Sequence, residues 1–330
     1  MTEVVKYTGS ELQTIDENII DKIPQALAGM KTQNTIERYR GDFIQYKAFA
    51  DERCLDVFDP RTFAAWRTYL VTCDKNYGVR SINRMLSSVR SIMKEWGNIG
   101  YIDLSVAAQF RVIGGASLKA APTRQKEHAR TQITKAQMEA ICSAPDQSTA
   151  SGLMHYALLM TLRYTGARVS EVVALKRSQI QQYVNDDDDA EEVTGWVVYL
   201  MGKNQTKPIP VELGTKAKEA IDEWVTYRRE KLGVDVDYIF TPTGDRFGGG
   251  RSVDKPLTVQ RAWGIVKQYA AQAGVKHVKP HDFRRYVGTR LAKKDNLLTA
   301  QQQLRHKSMT TTAENYVFQS VKIGMIDKHC

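Results

Sequence analysis

The chain has 330 residues, 25% of them charged and 42% apolar, an ordinary soluble composition long enough for two domains that each bury a core. Lys and Arg outnumber Asp and Glu by 47 to 37, a formal net charge of +10, which favours a polyanionic partner. Cys54, Cys73, Cys142 and Cys330 have no paired spacing and no nearby His cluster, no signal peptide is read, and the longest apolar run, residues 154–162, is too short for a bilayer; a disulfide framework, a zinc site and a membrane span are disfavoured, and a reducing, intracellular setting is expected.

Residues 1–30 form an N-terminal extension whose one amphipathic stretch, residues 15–27, contains Pro24. A helical domain is expected over 31–112. From Thr32 the spacing of Ile36, Tyr39, Phe43, Tyr46 and Phe49 predicts a helix ending near Asp51. A second runs from Pro60 to about Val71, and a third from Val79 to Trp96 on Ile82, Met85, Leu86, Val89, Ile92 and Met93, stopping near Gly97. A short helix over 104–110 follows. On the third helix Arg80, Arg84, Arg90 and Lys94 alternate with the apolar stripe, which suits either phosphate contacts on an outward face or simple solvation. Residues 113–131 lose periodicity, carry Gly-Gly, a Pro and basic residues including Arg124, and read as a basic linker.

The second domain, 132–316, begins with Thr134 as an N-cap for the helix 135–142, then a buried helix over 152–164. Thr165-Gly166 turns the chain, so that Arg168 emerges at the start of a helix with Glu171 one turn later on the same face. Taken alone, that pair reads as a structural ion pair. Residues 186–192 (DDDDAEE) lie between two strand-like runs and read as a solvated loop, since consecutive acids do not pre-organise a metal cage. Residues 196–201 and 207–211 read as a β-hairpin with Lys203 at its tip and Lys207 as the alternative lysine. A long helix over 213–232, a short extended run over 238–241, a Gly-rich loop at 247–251 without nucleotide-loop spacing, and a helix over 259–273 carrying Arg261 and Lys267 follow.

Pro280 opens a further helix on which His281 and Arg284 are three apart and share a face, with Arg285 turned to DNA or solvent. The stretch from Leu304 to Tyr316 is a basic, hydroxyl-rich turn between two helical patterns. Ser308 suits an N-cap for a helix from Met309, which puts Tyr316 two turns in, on a short element with few apolar anchors. A phenol with a reference pKa near 10 attacks at neutral pH only if cations stabilise its anion.

The ordered set Arg168, Lys203, His281-x-x-Arg284, His306 and Tyr316 resembles the tyrosine recombinase family, the phage-integrase-type enzymes that cut and rejoin DNA. The resemblance covers residues 134–316 most clearly, and it extends more weakly to the helical domain, which is similar to the family's core-binding domain. It implies a mainly α protein with a small antiparallel β-sheet: a helical DNA-binding domain plus a mixed α+β catalytic domain. It further implies Tyr316 as nucleophile, Arg168 and Arg284 as phosphate clamps, Lys203 as the acid for the leaving 5′-oxygen, His281 and His306 as hydrogen-bonding or proton-shuttling groups, and Glu171 orienting Arg168.

The product would be a 3′-phosphotyrosine and a Holliday junction, formed without metal, ATP or other cofactor. The partners implied are double-stranded DNA with a specific site and a homo-tetramer on two duplexes, in the cytoplasm at the nucleoid and away from membranes; the tail 317–330 would dock on a neighbouring protomer. Without an added arm-binding domain, a simple two-domain Cre- or Xer-like architecture is expected. A type IB topoisomerase-like or telomere-resolving enzyme, or a non-catalytic DNA-binding regulator, remain alternatives. Two departures stand out: Leu304-Arg305-His306 replaces the usual Leu-Gly-His, and His306 and Tyr316 are ten apart, one more than is commonest.

Overall fold

The computed structural model describes residues 19–117, 132–184, 193–202, 207–242 and 254–306. The chain divides into two compact units, Met1–Ala129 and Arg130–Cys330, each with its own apolar core. Among the described residues no helix is long and apolar enough to cross a membrane.

The first unit is helical: a 3-10 turn at Ile19–Asp21 leads into α1 (Lys22–Leu27), followed by α2 (Gln33–Asp51), α3 (Pro60–Thr72), α4 (Val79–Asn98) and α5 (Leu104–Val112). Pro24 does not interrupt α1, because it sits in the first turn, where backbone N–H groups lack helical acceptors anyway. Pro60 is likewise the first residue of α3, and Asp59 caps that helix by accepting from the Arg61 amide at 2.7 Å. The apolar stripe of α4 is buried from Ile82 to Trp96, where Trp96 meets Phe43 of α2 edge to face with centroids 5.2 Å apart.

Helix α4 ends at Asn98, near Gly97 as expected, but Gly97 itself is not the stop. It lies inside the helix, and a Cβ there would come 2.7 Å from Ala107 Cβ, so the missing side chain is what lets α5 cross closely. The left-handed turn that ends the segment falls at Gly100, φ 73°.

Three of the four basic residues of α4 are exposed, as their spacing suggests, and Arg90 is half-buried. Arg80 and Lys94 are exposed, with Lys94 3.0 Å from Glu95. Arg84 is 41% exposed and so keeps an outward face, while also pairing with the buried carboxylate of Asp42, which accepts from Ser88 Oγ at 2.7 Å. Arg90 is turned back: it donates to the Ile113 carbonyl and lies over the Phe63 ring, 5.6 Å from its centroid. The start of the expected linker is held by the same surface. Arg67 donates to the Gly114 carbonyl at 3.2 Å, and Asn83 exchanges hydrogen bonds with Ala116, donating at 3.0 Å and accepting at 2.8 Å. Arg124 lies outside the described residues.

The second unit comprises α6 (Lys135–Ser143), α7 (Ala150–Thr165), α8 (Val169–Val173), β1 (Ile180–Val184), β2 (Val193–Leu200), β3 (Ile209–Glu212), α9 (Thr215–Leu232), α10 (Val259–Gln272), α11 (Pro280–Lys294) and α12 (Leu297–Leu304). Thr134 and Gln137 form a reciprocal capping box at the start of α6. Helix α7 is apolar on all sides and buried over most of its length, as a helix packed against α9 on one side and α11 on another must be.

The three strands form an antiparallel sheet in the order β1-β2-β3. Val198 faces Val211 and Leu200 faces Ile209, and the period-2 alternation buries Val198, Leu200 and Val211 toward the core. Residues 185–192 lie outside the description. The extended run at 238–241 is pinned by α9: Trp224 Nε1 donates to the Ile239 carbonyl at 2.8 Å, and buried Arg228 donates to the carbonyls of Val236, Tyr238 and Ile239. These bonds satisfy backbone groups that have no strand partner.

Candidate active site

Helix α7 ends at Gly166, whose φ of 65° turns the chain sharply into α8. The Thr165 hydroxyl stiffens this turn by donating to the Thr161 carbonyl at 2.6 Å and accepting from the Ala167 amide at 3.1 Å. Arg168 is thereby the N-cap residue of α8. Its backbone N–H donates to Glu171 Oε2 at 2.8 Å and its Nη1 to Glu171 Oε1 at 3.0 Å. The carboxylate one turn into α8 therefore caps the helix and aims the arginine with the same two oxygens. About a third of the Arg168 side chain stays exposed, at 38%, against 8% for Glu171, so a charged group can still reach its guanidinium from solvent.

Arg284 approaches the same turn from α11. It is buried, donating through Nη1 to the Gly166 carbonyl at 2.8 Å and through Nη2 to the Leu304 carbonyl. One guanidinium thus ties the α7–α8 turn to the end of α12. Gln303 adds a second tie: Nε2 donates to the carbonyls of Thr165 and Glu212, each at 3.0 Å, and Oε1 accepts from the Glu212 amide at 3.2 Å. Strand β3, α12 and the Arg168 turn are locked together. Close packing completes the junction, since a Cβ on Gly166 would lie 2.8 Å from Leu304 Cδ2 and 3.1 Å from Val287 Cβ.

His281 stands exposed in the first turn of α11, and His306 follows α12, partly buried. Both are pushed toward the neutral form. Desolvation, then the charges of Arg285, Arg284 and Arg168, lower the pKa of His281 against an opposing pull from Asp282. Desolvation, then Arg284, Arg168, His281 and Arg305, lower His306 to about 4. At pH 7 each imidazole can therefore donate through one nitrogen and accept through the other, as a proton shuttle requires.

Arg285 does not point free to solvent as its position suggests. Its Nη1 pairs with Asp282 Oδ1 at 3.0 Å, and Asp282 Oδ2 also accepts from the Lys279 amide at 2.9 Å to cap α11.

The replaced glycine is the residue that sequence reasoning did not place. Arg305 takes the left-handed conformation, φ 53°, at the end of α12, at a backbone cost of about 1–2 kcal/mol for a residue with a Cβ. Its side chain turns inward and is 1% exposed. Nη2 donates to Glu171 Oε2 at 2.5 Å and Nη1 to the Leu200 carbonyl at 3.4 Å. The turn geometry thus survives the loss of glycine, and a further cation joins the site. Only the helix-stop position of Arg305 signals this in the sequence; the inward direction of its side chain does not.

Gly202 is buried and Lys207 exposed beyond β2 and before β3. Lys203, Tyr316, the proposed Ser308 cap, the Gly-rich loop and the tail lie outside the described residues. Arg261 and Lys267 are both exposed on α10. Among the described residues no group of His, Cys, Asp and Glu side chains is arranged to hold a metal ion.

Arg168, paired with Glu171, the buried Arg284 and two histidines held toward the neutral form lie within electrostatic reach of one another, donors and acceptors of the kind that suit an oxyanion. The family model described as the phage integrase family matches residues 131–322, and the protein belongs to that family. The tyrosine recombinase XerD of Neisseria meningitidis serogroup B is 31% identical over 194 residues, covering 58% of this chain and 60% of its own length. The tyrosine recombinase XerC of Staphylococcus aureus is 23% identical over 287 residues, 86% of this chain and 85% of its own. In fold, the chain matches a lambda integrase dimer bound to a COC′ core site with a TM-score of 0.60 at 18% identity, covering 92% and 98% of the two chains. The Tn1549 transposon integrase in complex with circular intermediate DNA matches at 0.59 and 15%, covering 94% and 99%.

Proposed function

We propose that the protein is a site-specific DNA recombinase that cleaves and rejoins strands through a 3′-phosphotyrosine intermediate and a Holliday junction. The observation that carries this reading is the gathering of Arg168, His281, Arg284 and His306, from three separate stretches of chain, around one place. Further support comes from relatives that are named tyrosine recombinases. A fold neighbour is a lambda integrase tetramer bound to a Holliday junction, which supports a homo-tetramer working on two duplexes. The excess positive charge fits that partner, and the cytoplasm, at the nucleoid, is the proposed place of action.

In the proposed reaction the Tyr316 hydroxyl attacks the scissile phosphorus. A new P–O bond to the tyrosine forms, the bond to the 5′-oxygen breaks, and that oxygen leaves as a hydroxyl after taking a proton from Lys203. Arg168 and Arg284 balance the charge that grows on the non-bridging oxygens, and His281 or His306 accepts the phenolic proton. The arriving phosphate would raise both histidine pKa values, so proton affinity appears where and when the substrate binds. A 5′-hydroxyl of the partner strand reverses the step. One ester bond is exchanged for another, and no cofactor is assigned a role.

Strand exchange tests the assignment. Two labelled duplexes carrying the DNA that flanks the gene are mixed with the full-length protein, and hybrid products are sought. Hybrids are expected. Cleavage and relaxation without hybrids would mark a topoisomerase-like or resolving enzyme, and binding without cleavage a regulator.

A further inference from the structure

Glu171 carries one negative charge and is shared by two arginines that reach it from different directions. Arg168 comes from the same short helix; Arg305 comes from the end of α12, 134 positions later in the chain. Were Arg168 the only partner, the carboxylate would offset its charge in front of an incoming phosphate. With Arg305 on Oε2 and the Arg168 guanidinium on Oε1 of the same carboxylate, the three groups sum to one positive charge. The second Arg305 contact is to the carbonyl of Leu200, the last residue of β2, three positions before Lys203 in the sequence.

We propose that Arg305 is a positioning residue of the active site: its buried guanidinium bridges the Glu171 carboxylate and the Leu200 carbonyl. In this way it holds Arg168 in register with the end of β2. The reading rests on the recombinase function proposed above. Two observations argue against a merely tolerated arginine. A residue with a Cβ occupies a left-handed turn that glycine would fill without strain. The charge is also not left to reach solvent, as a long arginine stem allows, but is buried at 1% exposure beside the carboxylate that aims Arg168.

The test uses the full chain with Arg305→Gly, Arg305→Lys, Glu171→Gln and the double variant Glu171→Gln/Arg305→Gly. Arg305→Gly relieves the turn, so folding is not at risk on backbone grounds. The probe is a nicked duplex from the DNA flanking the gene, read for single-turnover adduct formation and for affinity.

Arg305→Gly is expected to lower the cleavage rate on the order of 10- to 100-fold, the scale of a misplaced catalytic group, with affinity within about 3-fold of the parent. Arg305→Lys should recover part of the loss, because it restores the charge but reaches one acceptor instead of two. The double variant should be no slower than the worse single variant, since both changes break one linkage. Arg305→Gly cleaving within about 3-fold of the parent, or multiplicative losses in the double variant, overturns the proposal.

A parent that forms no adduct points to failure of the recombinase reading instead. The inference is then decided in the free protein by nitrogen-15 relaxation of the Arg168 Nε–Hε group. Ordering in the parent that is lost in Arg305→Gly supports it, and unchanged ordering overturns it.

Discussion

The turn at Gly166 offers the sharpest test of how the site is assembled, because a nearly identical backbone exists elsewhere in the same unit to serve as its control. Gly166 and Gly233 both sit at helix C-termini with φ 65°. Around Gly233 a Cβ would meet nothing within 4 Å, whereas at Gly166 it would lie 2.8 Å from Leu304 Cδ2 and 3.1 Å from Val287. Alanine at Gly233 should therefore cost only the left-handed strain, about 1 kcal/mol. Alanine at Gly166 should cost that strain plus overpacking of α11 and α12, about 1–3 kcal/mol more.

Urea unfolding of the two variants reads the difference, and because both lie in one unit the same transition is compared. The displaced Leu304 carries the carbonyl that Arg284 grips, and His306 follows two residues later. Gly166→Ala should therefore also slow DNA cleavage on the order of 10-fold or more, while Gly233→Ala should not. Equal stability losses and equal activities in the two variants would refute the claim that the contact between this turn and α12 builds the site.

Other consequences can be checked separately. Arg84→Ala should cost about 1–2 kcal/mol in chemical unfolding, because it leaves the buried Asp42 carboxylate with Ser88 but without its cation, whereas Arg80→Ala should stay within about 0.5 kcal/mol; equal values would mean that the Arg84–Asp42 pair contributes nothing. His155 is buried, its Nδ1 2.9 Å from the Tyr269 hydroxyl, and burial pushes its pKa down to about 4. The unfolded chain therefore binds this proton first as pH falls: stability should be intact above about 6.5 and decline toward pH 4 by about 3 kcal/mol, a loss that His155→Gln should reduce. Burial likewise raises the Cys142 thiol to about 11 while Cys54 is exposed. Brief maleimide treatment at pH 8 should modify Cys54 and spare Cys142, as peptide mass mapping would show.

The helices were legible because their signals are local. Asp59-Pro60, the Thr134–Gln137 box and the apolar stripe of α4 each specify a boundary or a face within one turn of chain. The α7–α8 turn was legible for the same reason: Thr165-Gly166 leaves few backbone options, and Glu171 three residues after Arg168 must share its face.

What local pattern does not convey is the partner of a charge. Arg84 keeps an outward face yet also pairs with Asp42 of α2, and Arg90 is turned to the Ile113 carbonyl, both partners supplied by tertiary packing, whereas the Asp282 partner of Arg285 lies three residues before it on the same helix. Gly97 marks the end of α4 to within a residue, yet its purpose is close approach of α5 and not a turn. Arg305 shows both sides: the stop at the end of α12 was readable, and the bridge to Glu171 and Leu200 depends on elements more than a hundred residues upstream.

Mapping the covalent bond would test the central claim most directly. A nicked suicide duplex made from the gene-flanking DNA, incubated with the full-length protein and then denatured and digested, should leave a nucleotide attached to the peptide that contains Tyr316. Tyr316→Phe should still bind the duplex and carry no such adduct. A nucleotide bonded to another residue, or an adduct that persists in Tyr316→Phe, would contradict the assignment of this cluster of arginines and histidines to a tyrosine nucleophile.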